Sequence, residues 1–212
     1  MKSSLQKLSI KLLLVTASVA SLSACFPVVL GGALMGGLVA VDRRTAGTQL
    51  EDEGIEVRAS SSVSDNLGGR GHINITSYNR QILLTGEVPS AQDKQLAAQV
   101  VSQVANVRFI VNELAVMGNT SLTQRTSDTL TTGRVKAALV DVNELYASAF
   151  KVVTERGTTY LMGRVTQREA DLATEVVRGT NGVQKVVRVF EIISEAELQS
   201  LLPQPGPSDA KK

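Results

Sequence analysis

Chemistry needs particular side chains, and this chain of 212 residues carries few of them: one histidine, one cysteine and no tryptophan. His72 stands alone just before a β-prone run, so no cluster of His and Cys can assemble at metal-ligand spacing. No Gly-x-Ser-x-Gly elbow offers it a nucleophile. Gly68-Gly69-Arg70-Gly71 is glycine-rich but precedes a β-prone run, whereas a phosphate-cradling loop follows a strand and opens a helix. It reads as a loop. A single cysteine excludes a disulfide within the chain. No enzyme, cofactor or metal is expected. Two features keep a chemical use. One is the thiol of Cys25. The other is the stretch from Leu130 to Lys136, in which Leu130 and Val135 suit an acyl boundary while Arg134 and Lys136 suit phosphate groups, each cation contributing about 1 kcal/mol near an anionic surface.

The surroundings of Cys25 say what its thiol is for. Lys2, Lys7 and Lys11 form a basic start, Leu12-Leu13-Leu14-Val15 opens an apolar run to Ala20, and Leu22-Ser23-Ala24 puts small residues before the cysteine. That is signal-peptide architecture over residues 1–24. Leu-Ser-Ala-Cys resembles the lipobox of bacterial lipoproteins, which implies cleavage before Cys25, diacylation of its thiol and acylation, typically with palmitate, of the new amine. One acyl chain holds a membrane only marginally, and two or more anchor stably.

Residues 25–47 are read as a lipidated apolar tether. Phe26 to Val41 carry no charge, but sixteen residues with four glycines and a proline fall short of a spanning helix, which needs about 20. The run either lies on the bilayer surface or packs on the protein as a strap. Phe26 is not Asp, which by the sorting tendency of enteric lipoproteins favours the outer membrane, with the protein facing the periplasm. Without the three leader lysines the formal charge of +2 becomes −1, so nothing suggests a nucleic-acid binder. At the other end, residues 195–212 include a Pro-rich polar segment and are expected to be a disordered tail.

Between these ends the chain repeats itself. Ile73-Asn74-Ile75-Thr76 and Ile82-Leu83-Leu84-Thr85-Gly86-Glu87-Val88 correspond to Phe150-Lys151-Val152-Val153 and Tyr160-Leu161-Met162-Gly163-Arg164-Val165. Each pair of runs flanks a polar turn, with Asn79 and Gly157 as turn formers, which is a hairpin signal. A capped helix follows each hairpin: Thr166 with Glu169 is a capping box, and Ser90 with Asp93 a similar start. A last strand follows, Val107–Val111 and Val183–Phe190. A helix precedes each hairpin, roughly Glu51 to Leu67 and Asp128 to Leu145. The expected fold class is therefore α+β: two tandem α-β-β-α-β modules, residues 48–117 and 125–194, each a three-stranded sheet covered by two helices. Gly86 and Gly163 occupy the same place in each copy, 77 residues apart. Close packing of a helix over them is the preferred cause, a strand-end bulge the alternative.

Two such repeats, each with an apolar strand ending in Gly-x-Val before a capped helix, resemble BON domains. With the lipobox and the stretches Ala40-Val41-Asp42-Arg43-Arg44-Thr45 and Gly163-Arg164-Val165-Thr166-Gln167-Arg168-Glu169-Ala170, the whole is similar to the dual-BON outer-membrane lipoprotein family. That resemblance implies binding of anionic phospholipid through the first helix of the second module, a role in outer-membrane integrity, and concentration at division sites. Carried onto this chain, the lipid contacts fall on Leu130, Arg134, Val135, Lys136 and Leu139. The spacing of Val135, Leu139 and Val142 suits a core face equally well. Where the family has a tryptophan this chain has Leu130, which keeps the apolar wedge and loses the polar handle. The competing expectation is an adaptor for outer-membrane assembly or cell-wall proteins, marked by an exposed sheet edge or a patch on the first module.

Overall fold

The computed structural model describes residues 42–201. The expected signal segment, Cys25, the tether up to residue 41 and the Pro-rich end from residue 202 lie outside the described residues.

The first helix, α1, is Ala46–Leu67. The Thr45 hydroxyl caps it by accepting from the Thr48 N–H at 3.1 Å, and Gly68 closes it in the left-handed region. Ile55, Ala59, Val63 and Leu67 form its buried stripe at helical spacing. The helix starts ahead of Glu51 because a capping hydroxyl, not an apolar residue, sets the boundary. The hairpin β1 (His72–Tyr78) and β2 (Gln81–Val88) pairs antiparallel around Asn79-Arg80. Both turn residues have positive φ, 50° and 64°, the two-residue type I′ geometry whose twist matches that of the strands. Helix α2 (Ala91–Ser102) follows, capped by Ser90.

The third strand of the first module is split into β3 (Phe109–Asn112) and β4 (Ala115–Val116), both parallel to β2, so this sheet has four strands rather than three. Asn112 causes the split. Its side chain accepts from the Leu114 N–H and donates to the Lys94 carbonyl, drawing the chain off the ladder. Leu114 then turns into the core under the helices.

The second module repeats the plan without that break: α3 (Leu122–Val140), a short 3-10 turn (Ala147–Ala149), β5 (Phe150–Glu155), β6 (Thr158–Val165), α4 (Gln167–Arg178) and β7 (Lys185–Ile192). Strands β5 and β6 are antiparallel around Arg156-Gly157, again with both φ positive, and β7 runs parallel to β6 over its full length. The Thr166–Glu169 capping box is formed. Helix α3 begins before Asp128 because Ser121 caps it, and it stops at Val140, leaving Leu145 beyond its end. The tail expectation is corrected at its start. Glu195–Leu201 forms helix α5, because Leu198 finds a buried site and Glu197 pairs with Arg164 at 2.6 Å.

The two glycines are explained by a neighbour other than the preferred one. A Cβ on Gly86 would run into the His72 carbonyl, and one on Gly163 into the Ala149 carbonyl. The close approach is by the first strand of each hairpin and the residue before it, not by a helix. Gly86 also sits at φ 107°, which L side chains rarely adopt.

Each sheet carries its helices on one face. Beneath α1 and α2, Ile82, Leu84 and Val88 pack with Ile55, Ala97 and Val101; beneath α3 and α4, Val152, Leu161 and Val165 pack with Val135, Leu139 and Ala173. The opposite faces of the two sheets meet each other. Tyr78 and Leu83 from the first pack with Tyr160, Met162 and Val189 from the second. Around this small apolar centre lie polar ties: Lys151 to Glu56 at 2.7 Å, Arg156 to Glu87 at 2.7 Å, Asn79 to Glu191 at 2.5 Å, and Asn74 to Glu155.

Candidate functional site

The stretch singled out from sequence lies on α3, and a buried aspartate fixes that helix against its hairpin. Asp128 accepts from the Arg156 N–H at 2.8 Å and the Gly157 N–H at 3.0 Å. The first module has the same device: Asp52 accepts from the Asn79 and Arg80 N–H groups at 2.8 and 2.7 Å and from the Ser77 hydroxyl. These bonds hold Asn79, Arg80 and Arg156 in left-handed backbone that non-glycine residues otherwise avoid. Sequence reasoning missed both aspartates. The available signal was a carboxylate on the buried stripe of the helix at the same place in each repeat, Asp52-Ile55-Ala59 and Asp128-Thr131-Val135.

At roughly 100° per residue, Leu122, Thr126, Thr129, Leu130, Gly133, Ala137 and Val140 fall within an arc of about 100°. All are exposed, with Leu122 at 79%, Leu130 at 56% and Val140 at 66%. Arg134 and Lys136 are exposed and flank the arc on opposite sides, and neither joins an ion pair among the described residues. The single acid within α3 is Asp128, which is buried and occupied. The outward face is thus a ridge of small and apolar side chains between two free cations.

Val135 and Leu139 do not belong to that face, and their expected lipid contact is corrected here. Both are buried in the core of the second module, on the side of α3 away from Leu130. Val142, Leu145 and Phe150 share that core. Val135 and Leu139 stand five residues beyond Leu130 and Arg134, about 140° round the helix, on the buried stripe that Asp128 and Thr131 also occupy.

Two further charged pairs escaped the sequence reading because their partners lie far along the chain. Arg43 is buried against the second module, donating to both carboxylate oxygens of Glu169 at 2.8 and 2.5 Å and to the Arg164 carbonyl at 2.8 Å. Burial alone would push the Glu169 carboxyl up, but Arg43 and the Thr166 N–H hold it below the ordinary range. Arg44 turns to the first module, pairing with Asp52 at 2.7 Å and lying 4.2 Å from the centre of the Tyr78 ring. Glu87 is fully buried between the modules. Arg156 and the Thr120 N–H and hydroxyl outweigh its burial and keep its carboxyl low.

No group of His, Cys, Asp or Glu among the described residues could hold a metal, and no described helix is long and apolar enough to cross a membrane. A cleft of about 620 Å³ between α1 and α2 is lined by Val57, Val100, Val104 and Arg58, and Arg58 is already paired with Glu51.

The BON domain family matches this chain twice, over residues 51–118 and 127–194. Outer membrane lipoprotein DolP of Haemophilus influenzae is 33% identical over 185 residues, 86% of this chain and 96% of that protein. The 21 kDa hemolysin of Actinobacillus pleuropneumoniae is 33% identical over 155 residues, 72% of this chain and 80% of that protein. Among solved structures, CdsD, a structural protein of the Type III secretion system of Chlamydia trachomatis, matches 69% of this chain and 99% of that one at 12% identity, with a TM-score of 0.28 that is too low to bear on function. The two repeats, their α-β-β-α-β order and a relative matched over 86% of the chain make this a dual BON-domain protein of the DolP family.

Proposed function

We propose that this chain is an outer-membrane lipoprotein, acylated at Cys25, that docks on anionic phospholipid through the outward face of α3. It faces the periplasm, performs no catalytic step, and supports outer-membrane integrity, including at division sites. The observation that carries the docking is the outward face of α3, where Leu122, Leu130 and Val140 stand exposed between Arg134 and Lys136 and an exposed acid, Asp141, lies just past the helix end. The name of the Haemophilus relative supports the location. Physically, apolar side chains dip to the acyl boundary while the cations stay with the phosphates, the arrangement of an interfacial helix. The test is flotation of the full chain carrying Cys25→Ser, which cannot be acylated, with vesicles of phosphatidylglycerol or of phosphatidylcholine. Stronger binding to the first than to the second is expected, with Arg134→Ala and Lys136→Ala together removing the difference. Equal binding to both, or none to either, overturns the reading.

A second reading, an adaptor for outer-membrane assembly or cell-wall proteins, has its own observation: Phe109, Val116 and Met117 stand exposed along the split third strand of the first module. Crosslinking in cells from position 109, in a chain carrying Arg134→Ala and Lys136→Ala, separates the two. A specific protein adduct there supports the adaptor.

A further inference from the structure

We propose that the outer edge of β7 pairs with β7 of a second copy of this chain, antiparallel and about a two-fold axis at Arg188, so that two second-module sheets join into one. The pairing is independent of the lipid reading of α3.

The argument begins with backbone groups. The Lys185 and Ile193 N–H groups donate to the carbonyls of Gly157 and Val165, at either end of β6, so the odd-numbered residues of β7 turn their backbone inward. Direction alternates along a strand. Val186, Arg188, Phe190 and Ile192 therefore point their N–H and C=O groups outward, where β7 has no neighbouring strand and no other partner among the described residues. Such a row is a template for another strand. Elsewhere the fold blunts its edges. On β1 the Ser77 N–H donates to Glu56 and the Ser77 carbonyl accepts from Lys151, which ties β1 to β5. In the first module β3 runs only four residues before Asn112 draws the chain off the ladder. Strand β7, by contrast, runs eight residues without a break.

The residues along this edge select the partner. Antiparallel pairing sets outward-pointing residues opposite one another. An axis at Arg188 meets that condition and puts Lys185 opposite Glu191, Val186 opposite Phe190, and Val187 opposite Val189. Shifted to Val189, the axis would put Glu191 against Val187 and Arg188 against Phe190. Val186 and Phe190 belong to the core beneath the helices, and Val187 and Val189 to the apolar centre between the sheets, so both layers continue across the seam. Lys185 is exposed and joins no ion pair among the described residues, while Glu191 remains 38% exposed beside Arg164. The two Arg188 side chains meet at the axis, but each is held by its own Asp171 at 2.7 Å, so their charges arrive already balanced. The edge is complementary to itself in charge and in apolar pattern, which makes a second copy the occupant it fits.

The test uses the full chain carrying Cys25→Ser, without lipid. Sedimentation velocity from micromolar to millimolar protein is expected to show a reversible monomer–dimer equilibrium. Lys185→Glu turns two attractive cross-strand pairs into two repulsive ones, and is expected to weaken the dimer about tenfold while leaving the urea midpoint in place. In the same background Arg188→Cys introduces the sole thiol at the axis, with Cα atoms about 5.5 Å apart, a span that a disulfide closes. Ile192→Cys, exposed on the same edge, would lie about 27 Å from its copy. Mild oxidation should therefore cross-link position 188 and not position 192. A chain that stays monomeric at every concentration overturns the proposal. So does a dimer indifferent to Lys185→Glu, or one that cross-links at 192 as readily as at 188.

Discussion

Replacing Arg134 and Lys136 together by alanine isolates the electrostatic part of docking. Both side chains are exposed, without an ion pair among the described residues, and on the edges of the α3 ridge. Their removal is therefore expected to cost folding less than about 0.5 kcal/mol, as is usual for such surface sites. Near an anionic surface each cation contributes about 1 kcal/mol, so the pair contributes about 2 kcal/mol, or roughly 30-fold in affinity. The apolar part behaves differently. Leu130 is 56% exposed, so sinking the remainder of its side chain adds about 1 to 1.5 kcal/mol. That share is insensitive to salt, whereas the cationic share fades as the Debye length contracts to about 8 Å at physiological ionic strength. Sedimentation of the Cys25→Ser chain with phosphatidylglycerol vesicles, at low and at physiological salt, measures both. The double variant should lose about 30-fold at low salt and less at high salt, while Leu130→Ala should lose about tenfold at either. A loss under threefold for the double variant, or the same loss on phosphatidylcholine, refutes the assignment of the cations to headgroups.

Other outcomes follow from the packing and the buried charges. Leu139→Ala should destabilise the protein by about 2 to 4 kcal/mol in urea unfolding through the cavity it leaves, and should leave vesicle affinity of the folded fraction unchanged; a selective loss of affinity would put Leu139 back at the lipid. Asp128→Ala removes two charge-assisted bonds to a left-handed turn and should cost about 3 kcal/mol or more in the same assay. Burial holds the Glu155 carboxyl above its ordinary range, with the Asn74 hydrogen bond only partly offsetting it. Its folded-state pKa thus exceeds the unfolded one, and the ionised form costs stability at neutral pH, a cost that vanishes below about 4.5. Glu155→Gln should therefore raise the urea midpoint at pH 7 and lose that advantage near pH 4; an advantage independent of pH would contradict this. Glu87 and Glu169 have the opposite sign, because their carboxyls are held low in the fold. Their contribution is present above the unfolded value and is lost as pH falls through the folded one, so Arg43→Met, which removes the Glu169 partner, should lose more stability at pH 7 than at pH 3.

What the sequence made legible was local. The hairpins announce themselves by paired β-prone runs around Asn79 and Gly157, and the Thr166–Glu169 box writes a helix start in four residues. Boundaries set by a lone hydroxyl, at Thr45 and Ser121, were harder to see, because apolar periodicity begins several residues later. The split between β3 and β4 depends on one amide side chain, Asn112, choosing a local bond over the ladder. Cys25 and the leader are outside the described residues, so the chemistry read there stands on the lipobox alone. On α3 the expected contacts divide by position: Leu130, Arg134 and Lys136 are outside, and Val135 and Leu139 are inside. Periodicity shows that a helix has a buried stripe, but a helix of mixed small, polar and apolar residues leaves open which stripe it is. The partners of Arg43 and Glu87 were beyond reach in principle, since nothing near either residue in sequence says what will meet it after folding.

The sheets' back-to-back contact has a consequence for any attempt to study one repeat by itself. Severing the chain between residues 118 and 127 would strip Tyr78 and Leu83, or Tyr160, Met162 and Val189, of their cover and leave Glu87 or Arg156 without its counter-ion. Each severed half should then self-associate or seek out the other, and equimolar halves should reassemble into a heterodimer that neither forms alone. In this fold the duplication serves as mutual shielding: what a solitary copy would show to water as a sticky wall has become an inside.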